Sequence, residues 1–173
     1  MKQQRFLARQ LAFQALLFAL VLILQWIDLQ LPPLPVPAPV RLGLANIVIL
    51  YSLTVQRFRE TLMLVLLKSA FVLLTRGLLA AALSLAGGLL ACMVMGLLYA
   101  CGRKYMSWLL LSCSGALAHQ LGQLLMLALM MPFVTIFRMA PILAILGTIT
   151  GAVTAILLWI VMPALIRINK ENR

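Results

Sequence analysis

The stretch SCSGALAHQLGQLLMLALMM, Ser112–Met131, is almost wholly apolar. At about 1.5 Å per helical residue it is long enough to cross the ~30 Å hydrocarbon layer of a bilayer. Yet His119, Gln120 and Gln123 lie within five residues at its centre, and His119 is the only histidine of the chain. Hydrocarbon offers such groups no hydrogen-bond partner, so each has to meet another part of the protein or something the protein holds.

The rest of the chain asks for the same solvent. Of its 173 residues 65% are hydrophobic and 10% charged, whereas soluble domains are about half apolar and a quarter charged. Apolar runs alternate with short charged clusters, the pattern of an all-α, polytopic membrane bundle forming a single domain, with the lipid bilayer as its first partner. The net charge of +11 does not point to nucleic acid. The basic residues stand singly or in pairs at the ends of apolar runs, where they orient helices, and not in one patch interleaved with aromatics. Cys92, Cys101 and Cys113 form no CxxC pair and have no metal-site spacing, so they read as small buried thiols and no metal or other cofactor is expected.

Six spans follow. The first, residues 11–27, comes after Lys2, Arg5 and Arg9 and lacks a small-residue cleavage site, so it reads as a retained helix. LPPLPVPAP then places five prolines between Pro32 and Pro39. Proline fixes φ and donates no hydrogen bond, which makes residues 31–40 an extended or turning loop. Spans two to six are read at 43–55, 61–75, 78–100, 106–131 and 141–161. Gly87, Gly88 and Gly96 in span four permit close helix contact. With the N-terminus in the cytoplasm, ten basic residues fall on the inner side and three (Arg41, Arg76 and Arg138) on the outer, while Lys68 stays in the membrane. That asymmetry places both termini inside and the proline-rich loop outside.

No GxxxxGK[ST] loop is present, and no aspartate-rich motif that could hold magnesium against a diphosphate. The three acids, Asp28, Glu60 and Glu171, fall at or beyond span ends. Carriers coupled to protons or sodium usually keep a carboxylate inside the bundle, so energy for uphill transport is expected from a partner. His119 and Gln123, four residues apart, share one helix face. Depth counting brings Asn46, Lys68, Arg41 and Arg76 to the same outer half, whereas Gln120 points elsewhere and reads as a packing contact. Each of these has a plainer explanation: cross-helix glue for His119 and Gln123, interfacial anchoring for Arg41 and Arg76, snorkelling for Lys68. On span one, Ala8, Ala12, Ala15 and Ala19 have the small-xxx-small spacing that admits another helix, in the same bundle or in a separate subunit.

RLGLANIVILYSL (Arg41–Leu53) resembles the KLGLANI signature of the so-called Gx transporter family, whose members are also labelled heptaprenyl diphosphate synthase component I. LSLAGGLLACMVMGLLY (Leu83–Tyr99), SCSGALAHQLGQLL (Ser112–Leu125) and APILAILGTITGAVTA (Ala140–Ala155) extend the resemblance in the same order. Lys68 stands where the family pattern has arginine, keeping the charge without the bidentate fork, and Met139-Ala140-Pro141 stands in place of YLP. The family is distantly similar to the substrate-binding S components of energy-coupling-factor importers. Those are six-helix proteins whose first outer loop covers the pocket and whose first helix docks a coupling subunit. The resemblance implies a multi-pass protein of the bacterial cytoplasmic membrane that binds a small solute, with a coupling subunit and an ATPase as partners. It does not name the solute; the excess of cationic side chains over carboxylates points to one with a carboxylate, a phosphate or several carbonyl acceptors. A non-catalytic accessory of isoprenoid, quinone or flavin-linked redox metabolism is the second expectation. A membrane enzyme using His119 as acid or base is the third and lacks an evident partner group.

The charge asymmetry is testable directly. Cysteines engineered into residues 32–40 should react with an impermeant thiol reagent in intact cells, and those near residue 103 or at the C-terminus should not. Labelling of the C-terminus from outside would reverse the orientation.

Overall fold

The computed structural model describes residues 2–30, 41, 43–102 and 107–171, with the backbone alone at 2–3, 5–7 and 161–171. The proline-rich loop, including the cover expected at Leu31–Val40, and the basic pair Arg103 and Lys104 lie outside these residues. Six α-helices account for nearly all of the described chain: α1 (Lys2–Gln30), α2 (Asn46–Val55), α3 (Phe58–Arg76), α4 (Leu78–Gly102), α5 (Trp108–Ala128) and α6 (Phe133–Glu171). There is no strand among the described residues. Four of the helices, α1, α4, α5 and α6, are long and apolar enough to cross a membrane. The helix α3 has the length, but Arg59, Glu60, Lys68 and Arg76 interrupt its apolar character.

The ends of the helices follow local chemistry. The Ser107 hydroxyl accepts the Leu110 amide at 3.1 Å and caps α5, while Glu60 accepts the Arg57 amide at 2.7 Å at the start of α3. Gly77, at φ +84°, ends α3 in a conformation that L-residues rarely adopt. Two boundaries differ from the sequence reading. Span two begins at Asn46 and not at residue 43, because Gly43 to Ala45 form a turn, so Asn46 opens the helix instead of lying a turn inside it. Span six starts at Phe133, after Pro132, and passes through Pro141. Pro132 is the proline at the helix start, where a missing amide costs nothing.

The arrangement is an arc with a plug. Helices α1, α3, α4, α5 and α6 are neighbours in that order, and the ten-residue α2 touches all five. A helix apolar on every side has to be buried, and most of α2 is, from Val48 through Leu53. Hydroxyl pairs tie the bundle: Ser52 to Thr61 at 2.9 Å between α2 and α3, and Ser112 to Thr154 between α5 and α6. Leucines, isoleucines and phenylalanines cover the outward faces of α1 and α6, as contact with lipid tails requires.

The seams between α3, α4 and α5 are set by glycine, as the sequence reading expected of span four. A Cβ on Gly88 would come within 2.8 Å of the Val65 side chain. On Gly122 it would lie 2.6 Å from the Ala86 carbonyl oxygen and 2.7 Å from the Gly87 Cα, both backbone atoms that only a shift of a whole helix could relieve. Gly122→Ala should therefore destabilise by about 1–3 kcal/mol. Gly96→Ala, whose close approach is to the Phe58 ring, with Leu53 at an ordinary 3.9 Å, should cost less. Thermal unfolding of the two variants in detergent compares them directly.

Candidate functional site

At one end of the bundle the turn preceding α2 enters between helices, and its peptide groups need partners inside an apolar structure. Gln123 supplies two. Its Oε1 accepts the Arg41 amide at 3.3 Å, and its Nε2 donates to the Arg41 carbonyl at 3.2 Å. Gln120 Nε2 also donates to that carbonyl, at 3.4 Å, and Gln120 Oε1 accepts from Gln123 Nε2 at 3.3 Å. Gln120 therefore does not point away from the cluster: it shares the Arg41 carbonyl with Gln123. From α1, Asp28 Oδ2 accepts the Gly43 amide at 3.3 Å, and the Asp28 carbonyl accepts Arg41 Nη1 at 3.1 Å.

Gly43 has φ +82°, a left-handed conformation that disfavours a side chain. It is also where the imidazole of His119 passes: a Cβ on Gly43 would lie 2.8 Å from His119 Cδ2 and 2.9 Å from Nε2. On the other side of the ring, a Cβ on Gly87 would lie 2.6 Å from Nδ1. Gly43 of the GLAN turn and Gly87 of α4 thus form a slot one imidazole wide.

Lys68, from the middle of α3, is 3% exposed and donates from Nζ to Asn46 Oδ1 at 3.0 Å. It does not snorkel; its ammonium is held within the bundle by the first residue of α2. Together with Asp28, Arg41, Arg76, His119 and Gln123, Lys68 lines a cleft of about 530 Å³, counting the space at its mouth. Asn46 borders a second, smaller cleft on the far side of Gly43 and reaches the first only through Lys68. The sequence-predicted residues are thus brought together around one cluster, five of the six on the main cleft and Asn46 behind it.

One expectation is corrected. A carboxylate does stand inside the bundle, because Asp28 is 7% exposed and within electrostatic reach of Lys68, Arg41 and Arg76. Counting along span one put Asp28 at its edge, but α1 continues to Gln30, and Arg41 and Gly43 fold back over it. The signal available in the sequence was the Gln25-Trp26-Ile27-Asp28 run, in which Gln25 and Asp28 are three residues apart on one helix face. Gln25 lines the same cleft. Four buried polar atoms in and beside it, Gln25 Oε1, Asp28 Oδ1, Asn46 Nδ2 and His119 Nδ1, have no hydrogen-bond partner among the described residues. Buried polar atoms are rarely left so, and a concentration of them marks a place where a bound molecule or ordered water completes the structure.

Ala8, Ala12, Ala15 and Ala19 are all exposed on α1, which among the described residues packs against α2 and α3 alone. No described part of the bundle covers them.

Comparison with protein families finds that the sequence model described as heptaprenyl diphosphate synthase component I matches residues 17–161, a span that contains every residue of the cluster. No curated protein and no solved structure matches the chain.

The two positive-φ glycines separate strain from contact. Gly77→Ala carries the positive-φ backbone penalty alone, since nothing lies within 4 Å of its Cβ position, and should lose about 1–3 kcal/mol. Gly43→Ala adds the collision with His119 and should lose more. Equal unfolding midpoints for the two variants would show that the imidazole slot is not tight.

Proposed function

The chain belongs to the heptaprenyl diphosphate synthase component I family, and from that premise we propose that it is a membrane-embedded solute-binding subunit, similar in role to an S component, of an uptake system in the bacterial cytoplasmic membrane. The observation that carries this reading is the cleft itself. Inside a bundle with bilayer-length apolar helices, three cationic side chains, one carboxylate and an imidazole converge on one space, and intramembrane ionisable groups of this kind characteristically serve a substrate or ion pathway. The chain forms one membrane domain with both termini in the cytoplasm and the cleft towards the outside, an orientation supported by the ten-to-three basic asymmetry.

The cluster is assigned to binding and not to catalysis. His119 is wedged between two glycine backbones, and the Asp28 carboxylate holds the Gly43 amide, which suits fixed recognition better than exchange of protons with a reacting group. A coupling subunit and an ATPase are the partners in this reading. Support for a dependent subunit comes from the family's description as a component, which implies a partner subunit, and from the exposed alanine face of α1.

The family description also favours a second reading, a non-catalytic membrane accessory of isoprenoid synthesis. Affinity purification from native membranes separates the two: an ATPase with a coupling subunit in one case, a prenyl synthase subunit in the other.

For the cleft, native mass spectrometry of protein purified from native membranes should detect a bound small molecule. His119→Ala should weaken its retention three- to tenfold, the loss of one neutral hydrogen bond of about 0.5–1.5 kcal/mol, or more if the molecule is charged. A packing role alone predicts a lower unfolding midpoint with retention unchanged.

A further inference from the structure

The cations of the cleft invite an anion, but the α1 side of the cleft asks for something else. Asp28 Oδ1 and Gln25 Oε1 are acceptors only; both are buried, and neither has a donor among the described residues. They sit three residues apart and therefore one above the other on the α1 face that borders the cleft. A carboxylate oxygen and an amide oxygen stacked in this way both call for hydrogen-bond donors, and the charge of the carboxylate favours a cationic N–H donor over a hydroxyl. Bulk water does not reach either atom, so a donor has to be delivered there, by an ordered water or by a solute that enters the cleft and draws the two side chains towards it.

The opposite side has the reverse character. Lys68 on α3 spends one of its three N–H donors on Asn46 Oδ1. Arg76, two turns further along the same helix, also lines the cleft. The cleft is therefore polarised across its width, acceptors on α1 and cationic donors on α3. A simple anion would satisfy the α3 side, leave both α1 acceptors without partners and bring its own charge towards Asp28.

Resting on the solute-binding reading above, we infer that the solute is amphoteric: a protonated amine donating to Asp28 Oδ1 and Gln25 Oε1, and an anionic group, carboxylate or phosphate, facing Lys68 and Arg76. With Arg41 included the cluster holds three positive groups against one negative, so the anionic end contributes at least as much charge as the amine.

The test uses the full chain in nanodiscs and matched probes of two to six carbons. These are ω-amino carboxylates, ω-amino phosphates, the corresponding carboxylates and phosphates without the amine, and the plain alkylamines, each titrated by calorimetry. The expected result is that at one chain length an amino acid or amino phosphate binds at least tenfold more tightly than both of its single-charge counterparts, and the better arm identifies the anionic group. Asp28→Asn should reduce that preference to threefold or less, and Gln25→Leu provides the same comparison if the Asp28 variant does not fold. Amine-free anions that bind the wild-type protein as tightly as the amphoteric probes overturn the inference and leave the solute-binding reading standing. Saturable binding by none of the probes overturns both.

Discussion

The peptide groups of Arg41 and Gly43, leading into the short turn before α2, lie in the interior of a membrane bundle and need partners from the protein. Gln123 meets both polar atoms of the Arg41 backbone, Gln120 shares its carbonyl, and Asp28 takes the Gly43 amide. Three polar side chains that look misplaced in apolar helices are therefore, first of all, the partners of one buried turn. Removing Gln123 or Asp28 would leave a backbone amide unpaired at a cost of about 1–3 kcal/mol, whereas without Gln120 the Arg41 carbonyl still accepts from Gln123.

From that anchorage the remaining geometry follows. Holding the turn fixes where α2 begins, so that Asn46 is presented to Lys68 across the bundle. Gly43, left-handed and without a side chain, lets His119 come against the turn, while Gly87 gives the ring room on its other face. Because α2 contacts every other helix, the same short element carries the packing core from Val48 to Leu53 and, through Asn46, holds Lys68 of the polar cluster. Stability and the proposed recognition share these residues, which is why an unfolding midpoint and a binding measurement have to be read together for any variant here.

The electrostatics of the cleft are likewise a property of the assembly. Lys68 alone in hydrocarbon costs several kcal/mol; with Asn46 as acceptor and Asp28 as an opposite charge nearby, the interior tolerates it. The carboxylate also alters the argument about energy. A dependent subunit no longer follows from the lack of a buried acid and rests instead on the family's description as a component and on the exposed face of α1.

Hydropathy and charge placement alone determined that the chain is an all-helical membrane protein, because burying 65% hydrophobic residues needs lipid as well as a core. The same patterning marked His119, Gln123, Asn46, Lys68, Arg41 and Arg76, since a polar group in an apolar run has to be explained wherever the chain goes. Small residues at Gly87 and Gly88 announced close helix contact for a similar reason. Tertiary structure alone decided what these groups meet. Asp28 looks terminal in a linear count and becomes interior because a turn thirteen residues later closes over it. Gln120 leaves the packing face for the cluster because the Arg41 carbonyl lies within its reach, and the first residue of α2 is set by a left-handed glycine that hydropathy does not register. Periodicity reports which side of a helix is apolar; which backbone atoms approach it from elsewhere in the chain is a matter of long-range packing.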